Sequence, residues 1–179
     1  MKALLLVDIP NDYFPGGKME LCGPLEAAAN ARKALEAFRS QKLPVIHIRH
    51  ISERPGSTFF IPGTPGSEIH QSVAPLDSER ILIKHFPNSF RETELDTLLK
   101  EKGIQELSIC GMMTHMCIDT TVRAAFDLGY KVTLLSDATA TRNLKLEDAI
   151  VPAEQVQASF LAALSPLFCK LEKAAALDV

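Results

Sequence analysis

The chain has 179 residues, 46% of them hydrophobic, and a formal net charge of −3 with a pI near 6.0. This length and composition suffice for one buried core, so we expect a single domain over residues 1–179. The acidic balance argues against the basic surface with which proteins bind nucleic acid, so the expected partner is a small molecule.

The first apolar run extends from Ala3 to Val7 and is followed by Asp8. It is too short for a signal peptide or a membrane span, but it has the length of a buried strand. We therefore expect a cytoplasmic protein with reduced cysteines and no membrane contact. The four cysteines also lack the two-to-four-residue spacing of a zinc knuckle.

Short apolar runs alternate with longer segments of helical spacing along the chain. The predicted strands are Ala3 to Asp8, Val45 to His50, Arg80 to Lys84, Glu106 to Cys110 and Lys131 to Ser136. The predicted helices are Leu25 to Ser40, Thr93 to Lys102, Met116 to Leu128 and Leu146 to Leu164. This alternation predicts a three-layer, Rossmann-like α/β fold with a mainly parallel central sheet and helices on both faces.

The segment from Ser52 to Ala74 is rich in Pro, Gly, Ser and Thr and has no regular period. It is interpreted as a long ordered loop. Because long loops in compact domains often carry function, we expect it to cover the ligand site.

Three ionisable residues fall at or just beyond predicted strand ends, where open parallel sheets bind their ligands. Asp8 ends the first strand, Lys84 ends the third, and Cys117 follows the fourth. Taken singly, each has an ordinary role: a turn or cap residue, a surface lysine and a small buried side chain. Together they would supply a nucleophile, its base and a charge partner.

The chemistry expected of this group is nucleophilic cleavage. Cys117 falls near the start of a predicted helix, where free N–H groups and Lys84 would lower the thiol pKa and favour a thiolate. Asp8 would take the thiol proton and return it to a leaving amine. Backbone N–H groups around Met113 and Cys117 would stabilise the oxyanion, and water would cleave the thioester.

The sequence resembles the isochorismatase-like cysteine hydrolases, which include nicotinamidases and N-carbamoylsarcosine amidases. The opening Leu4 to Asp8 with Asn11 to Phe14, the segment Ile83-Lys84 with Ser89-Phe90, and the stretch Cys110 to Ala125 are similar to the family's motifs. Asp137 to Ala140 is similar to the turn after the family's next strand.

The resemblance places Asp8, Lys84 and Cys117 at the catalytic positions. It also implies a non-proline cis peptide, here between Met112 and Met113, which aims backbone donors at the substrate oxygen. Dimers or tetramers are common in the family, so a homo-oligomer is expected.

Two departures from the family pattern bear on specificity and metal binding. Pro10 stands where many relatives have Gln, which removes an amide from the pocket floor. The Asp-x-His pair of the nicotinamidases is replaced by the sequence His50 to Arg54, so we predict no metal site and no cofactor.

Other side chains are candidates for the substrate pocket. Phe14, Phe59 and Phe60 lie in predicted loops and could form pocket walls or a subunit contact, and His115 could bind substrate. His85 is a weaker candidate, and structural roles are favoured for His47 and His50.

The leading functional hypothesis is a hydrolase acting on a small amide, imide, lactam or carbamoyl compound through a Cys117 thioester. One alternative is vinyl-ether hydrolysis of the isochorismatase type, which Cys117 opposes because enzymes of that type lack the cysteine. The other is a catalytically silent binding protein with the same fold. A Cys117 pKa no lower than that of a free thiol would favour this last alternative.

Overall fold

The computed structural model describes residues 1–177 and residue 179. Its central sheet contains the strands β1 (Lys2–Val7), β2 (Val45–His50), β3 (Arg80–Lys84), β4 (Glu106–Met112), β5 (Lys131–Ala140) and β8 (Lys170–Glu172). Strands β6 (Leu144–Leu146) and β7 (Ala149–Val151) form a separate antiparallel hairpin. The helices are α1 (Pro24–Ser40), α2 (Leu95–Glu101), α3 (Asp119–Asp127) and α4 (Ala153–Leu164).

The six sheet strands are all parallel, in the order β3-β2-β1-β4-β5-β8. Strand β1 lies in the middle, and its residue Leu5 is opposite Ile46 on one side and Ile109 on the other. Burial on both faces explains why β1 is a continuous apolar run. The predicted α/β architecture with a mainly parallel sheet is confirmed.

Two hydrophobic layers hold helices against opposite faces of the sheet. Successive side chains of a strand point to opposite faces, so Leu4 and Leu6 pack on one side, together with Leu35 and Phe38 of α1. Leu5 and Val7 contribute to the other layer, which includes Leu95, Leu99, Val122 and Ala125 of α2 and α3. Among the described residues, no helix is both long and apolar enough to cross a membrane.

Gly111 permits an unusually close approach between β4 and β1. Its φ is +128°, and a Cβ atom at this position would lie 1.8 Å from the carbonyl oxygen of Val7. Only glycine fits this conformation at this distance. The register between β4 and β5 also shifts at this point, between Ile109 and Gly111.

Three of the predicted elements differ from the structure. The helix predicted from Leu146 begins only at Ala153, because Pro152 cannot lie inside a helix; the preceding residues form the β6–β7 hairpin. Asp137 to Ala140 continues β5 rather than forming a turn. The segment predicted as one helix from Met116 is divided into a π-helical turn, Thr114–Ile118, and α3. Strand β8 is short and carries alternating charged residues, and the sequence did not predict it.

Candidate active site

The strand order brings four strand ends into one row at the carboxyl edge of the sheet. Lys84 ends β3, His50 ends β2, Asp8 directly follows β1, and the turn that carries Cys117 follows β4. Asp8 adopts a left-handed conformation with φ +49°, which aspartate tolerates better than most residues. The chain therefore turns sharply at the point where the carboxylate leaves the sheet.

Asp8 and Lys84 form a fully buried ion pair. Lys84 Nζ lies 2.8 Å from Asp8 Oδ2, and neither side chain has any exposed surface. Lys84 Nζ also donates a hydrogen bond to the carbonyl oxygen of Pro87 at 2.8 Å. Burial acts to lower the pKa of Lys84, but the charges of Asp8 and Cys117 outweigh burial and raise it, so the ammonium stays protonated.

The carboxylate of Asp8 retains free capacity to accept protons. Its contact with Lys84 is an ion pair at 2.8 Å rather than a hydrogen bond. Among the described residues, no group makes a hydrogen bond of good geometry to either Oδ1 or Oδ2. A buried acceptor in this state is available to a proton from a neighbouring group.

Cys117 lies beside this pair and is also buried, with 4% of its surface exposed. Its Sγ, a carboxylate oxygen of Asp8 and a ring nitrogen of His50 all lie within 4.8 Å of one another. Burial raises the thiol pKa well above its usual range, the charge of Asp8 raises it further, and Lys84 only partly opposes this. The expectation of a lowered pKa is therefore wrong, because burial and the facing carboxylate outweigh the ammonium.

The backbone around Cys117 is held in an irregular conformation. The peptide bond between Met112 and Met113 is cis, and it is the bond that the family resemblance singled out. The carbonyl oxygen of Met113 accepts hydrogen bonds from the N–H groups of Met116 at 3.0 Å and Ile118 at 3.2 Å. Thr114 Oγ1 fixes the start of the turn by donating to the carbonyl oxygen of Ala140 at 3.1 Å.

A cavity of about 510 Å³ opens onto Cys117 and Met113. Its walls are largely aromatic, and they include Tyr13, His50, Phe59, Phe60, His85 and Phe86. Phe59, Phe60 and several neighbouring lining residues belong to the segment from Ser52 to Ala74. This segment is anchored where the N–H group of Phe60 donates to Asp12 Oδ2 at 2.7 Å. The first part of the loop therefore borders the site.

Two predicted pocket residues lie elsewhere. Phe14 is buried in the core, where its ring stacks on His70 with a centroid distance of 3.7 Å. His115 points away from the cavity, and its Nδ1 lies 2.6 Å from Thr141 Oγ1. Neither borders the cavity that contains Cys117. His115 is two residues from Cys117 in sequence, and residues two apart in a helical turn do not face the same side.

Tyr13 and His50 border the site, although the sequence did not assign them to it. The structural interpretation fits His47, whose Nε2 lies 2.9 Å from Glu79 Oε2 in the protein interior. His50 differs because it ends a strand, as Lys84 does. The criterion that selected Lys84, an ionisable residue at the end of a predicted strand, would also have selected His50.

Asp8, His50 and Cys117 form a set of potential metal ligands within the described chain. However, the ammonium of Lys84 contacts the same carboxylate at 2.8 Å. A cation bound there would be repelled by this buried positive charge. The arrangement suits proton transfer better than metal binding.

Comparison with known proteins agrees with this geometry. Residues 2–165 match the isochorismatase domain family. The isochorismatase family protein YddQ of Bacillus subtilis is 51% identical over 170 residues, which cover 95% of this chain and 94% of the relative. Nicotinamidase 3 of Arabidopsis thaliana is 29% identical over 159 residues, covering 82% of this chain and 77% of the relative. The crystal structure of an isochorismatase from Pseudomonas putida KT2440 has 35% identity and a TM-score of 0.92, with 99% of this chain and 90% of that chain covered. The chain therefore belongs to the isochorismatase family of hydrolases.

Proposed function

We propose that the protein hydrolyses a carbon–nitrogen bond of a small molecule, with Cys117 as the nucleophile. The observation that carries the proposal is the convergence of three buried groups: the Cys117 thiol, the Asp8 carboxylate and the Lys84 ammonium. The similarity to a nicotinamidase, whose name describes amide hydrolysis, supports the same class of reaction. The size of the cavity suits a small organic substrate.

In the first half of the reaction, the thiol proton passes from Cys117 to Asp8 as sulfur attacks the substrate carbonyl carbon. The carbonyl oxygen becomes an oxyanion, which the N–H groups of Met113 and Cys117 would stabilise. When the oxyanion collapses, the C–N bond breaks and the proton on Asp8 passes to the leaving nitrogen. The leaving nitrogen departs as an amine or, in a ring substrate, stays attached to the acyl chain, and the acyl group remains on Cys117 as a thioester.

In the second half, a water molecule attacks the thioester and gives one proton to Asp8. The C–S bond breaks, the acid is released, and the proton returns to sulfur. One water is consumed, and Asp8, Lys84 and Cys117 end in their starting states. Lys84 acts throughout by compensating the negative charge that moves between Asp8 and Cys117.

The raised pKa of Cys117 fits this scheme, because the resting thiol must keep a proton for transfer to Asp8. The facing carboxylate is one cause of the raised pKa, and it is also the group positioned to receive that proton. The same raised pKa favours the alternative of a silent binding protein. A direct activity measurement is therefore needed to decide between them.

The decisive experiment is a panel of small amide, carbamoyl and imide substrates scored by chromatographic loss of the substrate, because opening a cyclic imide releases no ammonia. We expect activity in the wild type and none above background in Cys117→Ala. The matched control is Cys22→Ala, which removes an exposed cysteine and should keep full activity. An acyl adduct on Cys117, detected by intact-protein mass spectrometry during turnover, would identify the intermediate. Equal loss of substrate with wild type and Cys117→Ala would reject the proposal.

A further inference from the structure

The unpaired buried polar atoms of the protein are concentrated around Cys117. In the described residues, four buried side-chain oxygen or nitrogen atoms have no hydrogen-bond partner: both carboxylate oxygens of Asp8, Oη of Tyr13 and Nδ1 of His50. All three residues border the site. Proteins pair nearly all of their buried polar atoms, so such a concentration indicates groups kept free for a ligand.

The two oxygens of Asp8 are explained by its role as proton acceptor, whereas Tyr13 and His50 have no part in that mechanism. Tyr13 lies in a turn of 3₁₀ helix, Asn11–Tyr13, and has no exposed surface. Its ring packs edge-on against Phe60 with a centroid distance of 5.2 Å. The ring is therefore firmly placed; the residue lines the cavity, and its buried hydroxyl group has no hydrogen-bond partner.

The hydroxyl of Tyr13 keeps its proton. Burial raises its pKa well above the usual range, and the nearby charges of Cys117 and Asp8 raise it further. A protonated hydroxyl near these charged groups is a hydrogen-bond donor, and it retains lone pairs to accept a bond as well.

His50 contributes a second neutral group beside the nucleophile. One of its two ring nitrogens lies within 4.8 Å of both Cys117 Sγ and a carboxylate oxygen of Asp8. Burial lowers its pKa; the charge of Asp8 opposes this, and Lys84 and His85 add to the lowering, so the imidazole is neutral. Its ring lies 5.1 Å from that of Phe60. The same phenylalanine therefore positions both Tyr13 and His50.

We propose that Tyr13 Oη and His50 Nδ1 bind a second polar group of the substrate, next to the carbonyl that Cys117 attacks. This inference rests on the proposed amide hydrolysis and specifies its substrate class. The class consists of compact acyl amides with two carbonyl groups on one nitrogen, such as cyclic imides. The scissile carbonyl lies at the Met113 and Cys117 N–H groups, and the second carbonyl accepts from Tyr13. Simple amides leave Tyr13 and His50 unpaired and are poorer ligands.

The test compares two ring compounds that differ in one carbonyl group, succinimide and 2-pyrrolidinone. Binding is measured by calorimetry on Cys117→Ala, so that turnover does not interfere. We expect the Kd of succinimide to increase about tenfold when Tyr13→Phe is added. The Kd of 2-pyrrolidinone should change less than twofold. His50→Phe, which retains a flat ring, should also weaken succinimide selectively.

A matched control is provided by Tyr130, whose hydroxyl donates to Asp96 Oδ1 at 2.7 Å and which does not line the cavity. Tyr130→Phe removes a satisfied hydroxyl and should lower Tm without changing either Kd. Tyr13→Phe removes an unsatisfied one, so its Tm should stay the same or rise. This opposite pattern distinguishes a ligand-binding hydroxyl from a structural one.

The outcomes separate this inference from the proposed function. If Tyr13→Phe lowers Tm and affects both ligands equally, or if neither ligand binds, the assignment of Tyr13 is overturned. If wild-type turnover depends on Cys117 but Tyr13→Phe leaves kcat/KM for succinimide unchanged, the proposed hydrolase function is supported and the proposed substrate class is rejected. If succinimide binds in a Tyr13-dependent manner but no amide or imide is hydrolysed, imide binding by Tyr13 is supported and the proposed hydrolase function is rejected.

Discussion

Burial and the Asp8 carboxylate raise the pKa of the Cys117 thiol, whereas Lys84 lowers it, and burial has the largest effect. A sulfur at 4% exposure, facing a carboxylate, has a raised pKa even though an ammonium lies nearby. In the proposed mechanism, Cys117 is therefore a neutral thiol at rest and becomes a thiolate only when Asp8 takes its proton. This resting state should protect it from oxidants and alkylating agents, which react with thiolates.

The first prediction is slow alkylation of Cys117. In native protein at pH 8, iodoacetamide should modify the exposed Cys22 at least about tenfold faster than Cys117, because the thiolate fraction and access of Cys117 are both low. Peptide mass spectrometry of samples quenched at intervals measures both rates. Labelling of Cys117 as fast as that of Cys22 would contradict the raised pKa.

The second prediction concerns the ion pair. Asp8→Asn removes the proton acceptor and should lower kcat by about 10²- to 10⁴-fold. It also leaves the fully buried Lys84 ammonium uncompensated and should reduce the free energy of unfolding by about 3 kcal/mol.

Cys117→Ala is the control for the ion pair, since it should abolish activity while keeping most of the stability. Urea denaturation and steady-state kinetics measure the two effects. An Asp8→Asn variant as stable as the wild type would mean that Lys84 does not depend on its partner.

At the scale of single residues, the sequence predicted the site residues whose side chains carry a reactive group. It missed those whose role depends on which side chains surround them. Asp8, Lys84 and Cys117 could be named because each carries a reactive group near a predicted strand end. Tyr13 was not identified, because an unpaired hydroxyl exists only after the neighbouring side chains are in place. Phe14 was misassigned since the sequence gives no direction for a ring within a turn.

At the scale of elements, the join between β1 and β4 is the most constrained feature. Both strands end at the site, and Gly111 lies directly opposite Val7 in their register. The close approach at Gly111 therefore determines how Asp8 and the Cys117 turn lie relative to each other.

The third prediction follows from that constraint. Gly111→Ala should destabilise the protein by roughly 3 kcal/mol or more, because its Cβ would overlap the Val7 carbonyl and its φ would be strained. Gly103→Ala has a positive φ of +63° but open space around its Cβ, and it should cost only about 1 kcal/mol. Thermal and urea unfolding compare the two. Equal losses of stability in the two variants would show that the positive φ, rather than overlap with the Val7 carbonyl, causes the destabilisation.

The boundaries of elements were predictable where apolar runs end in polar residues. Strands β2 and β3 have the bounds expected from the sequence, since each run ends at a His or Lys. The β6–β7 hairpin was missed because Leu146 and Ile150 have the spacing of apolar residues on one face of a helix. In the structure both side chains are exposed. The π-helical turn has no sequence signal of its own, because its residues differ little from those of an ordinary helix.

At the scale of the whole molecule, the edge strand β3 is fastened at both ends. Lys84 reaches past β2 to Asp8 at its carboxyl end. At its other end, Glu79 bonds to Arg39 of α1 at 2.7 Å and to His47 of β2 at 2.9 Å. A buried ion pair therefore joins the outermost strand to the centre of the sheet, and a partly exposed one joins it to a helix.

The fourth prediction is an acid-dependent loss of stability through Glu79. Burial acts to raise the pKa of its carboxyl, but bonds from Arg39, the Leu76 N–H and His47 outweigh burial and lower the pKa to about 2, from 4.5. Since the pKa is lowered on folding, this contribution is present above pH 4.5 and is lost as the pH falls toward 2.

Glu79→Gln should be less stable at pH 7 and should lose less stability across that interval than the wild type. Urea midpoints at pH 7, 4 and 3 measure the difference. Parallel pH curves for the two proteins would exclude Glu79 as the source.

Because Lys84 lies on an edge strand, the proposed activity depends on whether that one strand stays paired. An edge strand has a neighbour on one side only, so it can detach while the other strands remain paired. Detachment of β3 would withdraw the ammonium from Asp8 and leave a lone buried carboxylate facing the sulfur. Gentle heating should thus abolish the proposed activity reversibly while most of the fold persists.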